Sequence, residues 1–182
     1  MSDTIGFLEL NSVAKGIYAA DAMLKAADVK LLRANANCPG KYNILIAGEV
    51  AAVNAAVEVG AQVGGPNVIE QLVIPRLHPQ VIHAINGSNM PDKLDAVGVL
   101  ECFSITSSIL AADSAVKAAD VTLIDVRLGT GLGGKSFLVM TGDTAAVSEA
   151  IERSAAVVGE NGMLLEKVII PNPRKEIFEA LL

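Results

Sequence analysis

At 182 residues the chain has room for one ordinary domain or two small ones, and a chain of that size hides roughly 70% of its unfolded surface. Hydrophobic residues make up 52%, aromatics 3% and charged residues 19%, with a mean hydropathy of +0.47; such a chain packs Ala, Val, Ile and Leu and buries surface against other chains. A net charge of −6 without basic runs argues against nucleic acid and anionic membranes as partners, and no apolar run is long enough to span a bilayer.

Met1-Ser2-Asp3-Thr4 carries neither a basic n-region nor a secretory h-region, so a cytoplasmic location is expected. Taken in chain order, residues 5–10 read as a strand, and Ser12 is positioned to cap a helix over 13–27. Within that helix Asp21 and Lys25 stand at the i,i+4 spacing. Residues 30–35 and 41–47 read as strands flanking a short loop. A second helix opens after Gly48-Glu49 and ends at Gly64-Gly65-Pro66, and 68–74 reads as a closing strand.

The same order is then written again. Residues 5–31 recur as 97–123 at a shift of 92, with 14 of 27 positions identical, and 40–63 recur at a shift of 94. The loop before Gly134 has therefore gained two residues. Ser104 repeats the cap of Ser12, and Asp143 is a better helix cap than its counterpart Glu49. The fold expected is α+β: two tandem ferredoxin-like βαββαβ domains, 4–86 and 96–182, joined by a polar linker at 87–95.

Several motifs need weighing. Gly129-Thr130-Gly131-Leu132-Gly133-Gly134-Lys135-Ser136 matches the phosphate-loop pattern G-x-x-x-x-G-K-[ST]. A phosphate loop feeds a helix N-terminus, whereas Phe137-Leu138-Val139-Met140 follows here as an apolar strand, so no nucleotide chemistry is expected. Cys38 and Cys102 are too few for a disulfide scaffold and are expected as reduced thiols or ligands. Cys102 ends a strand and reads as a small, partly buried apolar side chain. His78 and His83, five apart, share no helical face and read as surface histidines rather than zinc ligands.

Gly6-Phe7-Leu8-Glu9, the run from Ala20 to Val29, Gly40-Lys41, Gly48-Glu49-Val50-Ala51-Ala52-Val53 and Ile74-Pro75-Arg76-Leu77-His78 together resemble the bacterial microcompartment shell domain, in unpermuted order and in both copies. The resemblance implies a non-enzymatic component of a microcompartment shell in the cytoplasm. It implies a homotrimer forming a pseudohexameric tile, packed laterally against other shell proteins. Lys25 and Lys117 then match the family's edge lysine and Arg76 its edge arginine, although the second copy has Asn172 in place of Arg76.

The loop Cys38-Pro39-Gly40-Lys41 is similar to that of tandem family members whose cysteine ligates an iron–sulfur cluster at the trimer axis. That similarity implies one [4Fe–4S] cluster per trimer, held by Cys38 of each chain, for electron transfer across the shell or as a repair reservoir, and it allows a luminal redox enzyme as a partner. Two alternatives stand beside it. One is a tile with a metal-free small-molecule pore lined by Pro39, Gly40, Gly131 and Gly133; the other is a ferredoxin-like ligand-binding sensor.

Overall fold

Alternating and continuous apolar runs become strands that stack against alanine-rich helices. The computed structural model describes residues 4–87, 91, 95–129, 131–174 and 176–177. They divide into two compact units, one ending at Leu77 and one starting at His78. The first contains β1 (Thr4–Leu10), α1 (Val13–Ala26), β2 (Lys30–Asn37), β3 (Lys41–Gly48), α2 (Val50–Gly64), a 3-10 turn at Gly65–Asn67 and β4 (Val68–Ile74). The second contains α3 (Pro79–Asn86), β5 (Ala96–Cys102), α4 (Ile105–Ala118), β6 (Thr122–Leu128), β7 (Ser136–Gly142), α5 (Thr144–Gly159) and β8 (Leu164–Pro171).

Each unit carries a four-stranded antiparallel sheet, ordered β2-β3-β1-β4 in the first and β6-β7-β5-β8 in the second. This is the expected ferredoxin-like arrangement, in which a strand lies between the two that each helix connects. Even the irregularities repeat. Register shifts fall at Leu31/Arg33 and Glu9/Leu10 in the first sheet, and at Leu123/Asp125 and Glu101/Cys102 in the second. The helix caps also behave as the residue types dictate: Ser12 accepts from the Lys15 N–H and Asp143 from the Ala146 N–H, while Glu49 makes no side-chain cap.

Leu8, Leu10, Ile44 and Ile46 of the first sheet pack on Ala19, Ala20 and Met23 of α1 and on Val53, Ala56 and Val57 of α2. Small side chains let the helices lie close to the sheet, and Gly6 at the centre of β1 is part of that fit. A Cβ at Gly6 would come within 2.6 Å of a Val57 methyl, and one at the equivalent Gly98 within 2.9 Å of Ile151. Burial of this kind contributes about 25 cal/mol per Å² of apolar surface, so many small residues must be covered together. Among the described residues no helix is long and apolar enough to cross a membrane.

One expected boundary differs from the packing. Helix α3 follows β4 in sequence, yet it packs on β6 and α4 within the second unit. The His78 N–H donates to Asp113 Oδ1 at 2.8 Å. The Gln80 side chain clamps the start of β6, its Nε2 donating to the Val121 carbonyl at 3.4 Å and its Oε1 accepting from the Leu123 N–H at 3.0 Å. The compact unit therefore breaks at Leu77, not at 86, because these hydrogen bonds and the buried Val81, Ala84 and Ile85 tie the helix to its C-terminal neighbours. Most of the linker expected at 87–95 lies outside the described residues.

Candidate functional site

The loops joining the second and third strands of each unit carry the residues singled out for function. In the first unit, β2 and β3 pair up to Asn37 and Lys41, leaving Cys38-Pro39-Gly40 as a tight tip. Cys38 is a free, exposed thiol, and Pro39 and Gly40 are exposed beside it. Gly40 has a φ of +91°, a conformation that glycine adopts without strain. The counterpart in the second unit is longer and contains no cysteine. Gly129, Gly131, Gly133 and Gly134 all have positive φ, and Gly131 and Gly133 are exposed.

Beneath the Cys38 tip lies a polar row on one face of the sheet. Glu9, Asn43 and Asn35 are adjacent across β1, β3 and β2, with Asn37 and Lys41 one step nearer the tip. Lys41 Nζ stands 3.2 Å from Glu9 Oε1, and Asn35 Nδ2 donates to Asn37 Oδ1 at 3.3 Å. Burial pushes the Glu9 carboxyl above its ordinary value, opposed by the Lys41 ammonium. Both amide atoms of the buried Asn43 are without a hydrogen-bond partner among the described residues. In the second unit Glu101 and Lys135 repeat the ion pair at 2.9 Å, while Phe137 stands where Asn43 does. Sequence reasoning missed this row, although the recurrence of Glu9 as Glu101 and of Lys41 as Lys135 was a signal for the ion pair.

The phosphate-loop look-alike is accounted for by its surroundings. Lys135 is held by Glu101, and the buried Ser136 donates to the Ser104 carbonyl at 2.6 Å while sharing a hydrogen bond of 2.6 Å with Ser108. Strand β7 starts at Ser136, so the loop runs into a strand rather than into the helix that a phosphate loop requires.

Cys102 is fully rather than partly buried, and burial pushes its thiol up. His78 departs from the expected surface histidine. It is half-buried, caps α3 by accepting from the Gln80 N–H at 3.4 Å, and anchors the helix through Asp113; His83 is exposed.

The structure does not bring Cys38, Lys25, Lys117 and Arg76 into one hydrogen-bonded cluster. Lys25 is exposed and pairs with Asp21 at 2.5 Å, which holds its ammonium pKa above the ordinary value. Lys117 pairs with the more buried Asp113. Arg76 and Asn172 occupy equivalent turns, both with positive φ and both exposed. Among the described residues no group of three or more His, Cys, Asp or Glu side chains is disposed to hold a metal within one chain.

Comparison with known proteins agrees with the doubled architecture. The BMC domain matches twice, at residues 4–77 and 96–173. The chain is 42% identical to the bacterial microcompartment shell protein PduT of Citrobacter freundii, over all of this chain and 98% of that one. Half of the chain is 35% identical to the carboxysome shell protein CsoS1 of Prochlorococcus marinus, of which 95% is covered. A crystal structure of a microcompartment protein from Desulfitobacterium hafniense superposes with a TM-score of 0.93 at 45% identity, covering 98% of this chain and 99% of that one. With both units matched and aligned end to end with a tandem relative, the chain belongs to the BMC-domain family of bacterial microcompartment shell proteins.

Proposed function

We propose that this shell protein assembles as a homotrimeric, pseudohexameric tile in which three Cys38 thiolates, one from each chain, hold a single [4Fe–4S] cluster. The observation that supports this reading most directly is the asymmetry of the two loops: one exposed thiol per chain at the β2–β3 tip and none in the β6–β7 loop. A single thiolate is too few for a cluster, but a threefold axis multiplies it to three soft ligands. A cluster bound there would supply one-electron chemistry. The protein's own part is to present Cys38 at an exposed tip and to hold the tip rigid through the β2–β3 pairing. Lys25, Lys117 and Arg76, all exposed, are the residues proposed for lateral contacts with other shell proteins, and a luminal redox enzyme is the proposed electron partner. The protein is a structural component, not a catalyst.

Anaerobic purification followed by iron and sulfide analysis, with absorbance near about 400 nm where thiolate-ligated clusters absorb, tests the reading. Cys38→Ser is expected to abolish the iron–sulfur signal while the trimer persists, and Cys102→Ser to retain it. Full cluster occupancy in Cys38→Ser would overturn the assignment. A trimer that never takes up iron would leave the Gly131 and Gly133 loop as the lining of a metal-free pore.

A further inference from the structure

The second unit neutralises a helix carboxylate that the first leaves open. Lys167 of β8 reaches Glu152 of α5 and donates to both carboxylate oxygens, at 2.7 and 2.6 Å. The repeat puts Glu58 of α2 at the position of Glu152, at the shift of 94. Strand pairing puts Gln71 of β4 at the position of Lys167, because Gln71 pairs with Leu8 and Lys167 with Leu100, the counterpart of Leu8. An uncharged amide thus stands where the second unit has its cation, and among the described residues no ion pair reaches Glu58.

Glu58 lines an open groove of about 600 Å³ between α2 and β4. The buried Val57 and half-buried Val73 give the groove apolar surface, while Glu58, Gln62 and Gln71 are exposed around it. A carboxylate flanked by two amide oxygens supplies acceptors for all three protons of an ammonium group. Strand β4 is an outer strand of its sheet, so a sheet edge borders the groove.

We infer that this groove docks a basic segment of a partner protein, which places a lysine ammonium on Glu58 as Lys167 is placed on Glu152 within the chain. Charge complementarity selects the occupant, since the carboxylate is unopposed and the whole chain carries a net charge of −6. The surroundings favour a polypeptide over a free amine. Val57 and Val73 match the aliphatic stem of a lysine side chain, and a sheet edge is a place where extended segments bind through alternate side chains. The inference depends on neither the iron–sulfur cluster nor the trimer.

Fluorescence anisotropy tests it with the full chain and a labelled alanine–leucine peptide carrying one central lysine, beside the same peptide with norleucine at that position. The lysine peptide is expected to bind about fivefold more tightly, the upper range for a solvent-exposed ion pair. Glu58→Gln should abolish that margin, and so should Gln71→Lys, which supplies the missing cation from within the chain. Glu152→Gln should retain it. Glu58 and Gln71 are exposed, so thermal melts of their variants should show a folded chain. No binding to the unsubstituted chain, equal binding of the two peptides, or a margin that survives in Glu58→Gln would overturn the inference. Displacement of the peptide by an equal concentration of lysine amide would assign the groove to free amines. A smaller sedimenting assembly in Glu58→Gln would assign it to another copy of this chain, and either result would overturn the docking of a partner.

Discussion

The β2–α1 region of the first unit and the β6–α4 region of the second derive from one pattern, yet they have been finished differently. In the second, Asp113, Leu123 and Val121 are sealed beneath α3; in the first, Asp21 and Leu31 remain open. The loops diverge in the same sense, one to an exposed thiol and the other to a glycine run. Duplication lets one copy cover its α4–β6 face with a helix of the same chain while the equivalent α1–β2 positions of the other stay exposed. The net effect is a chain whose two halves differ in exposure despite a common core.

The largest expected contrast is between the two thiols. In cluster-free protein, iodoacetamide should modify Cys38 at the exposed tip on the order of a hundredfold faster than Cys102, which is buried and whose thiol is pushed up by desolvation. Peptide mapping after a short exposure measures the ratio. Equal rates would place Cys102 in a unit that opens easily and would break the contrast.

Next in size is an exchange of core pairs. The absent side chain of Gly16 makes room for the Tyr42 ring, whereas the second unit fills the equivalent positions with Ser108 and Ser136, joined by a hydrogen bond of 2.6 Å. Gly16→Ser alone should destabilise by about 1–3 kcal/mol through overpacking. Adding Tyr42→Ser should recover part of that loss by importing the second unit's solution. Urea unfolding of the two variants decides the point, and strict additivity would remove the coupling.

Asp113→Ala removes the acceptor of the His78 N–H and the partner of Lys117, at a cost of about 1–2 kcal/mol. Asp21→Ala loses only an exposed ion pair, and its effect on stability should be well below that of Asp113→Ala. Thermal melts of the two variants beside the unsubstituted chain separate the effects.

The smallest effect is a pH dependence. Burial raises the Glu9 carboxyl above its ordinary value of 4.5, so between that value and the folded one the native state holds a proton that the unfolded chain has released. The stability contributed by this group is complete below 4.5 and is lost as pH rises through the folded value. Glu9→Gln should flatten that decline in a denaturation series across the acidic range. An unchanged slope would show that Lys41 compensates the burial in full.

Much of this molecule was legible along the chain. The alternation and length of the apolar runs, the caps at Ser12, Ser104 and Asp143, and the repeat itself determined the elements, their order and the doubling, because each depends on neighbours a few residues away or on direct copying. The residues of the two loops were also readable, and so was the failure of Gly129–Ser136 as a phosphate loop, since Phe137 to Met140 could only continue as a strand. What the chain order did not disclose was allegiance. Helix α3 reads as the tail of the first copy, but its packing belongs to the second, because the contacts that decide it, His78 to Asp113 and Gln80 to Val121 and Leu123, span 35 to 43 residues. The sealing of Cys102 and the polar row of Glu9, Asn43 and Asn35 likewise come from strands brought side by side. A local pattern states what a segment becomes; only closure of the sheets determines which surfaces are covered and which are left exposed.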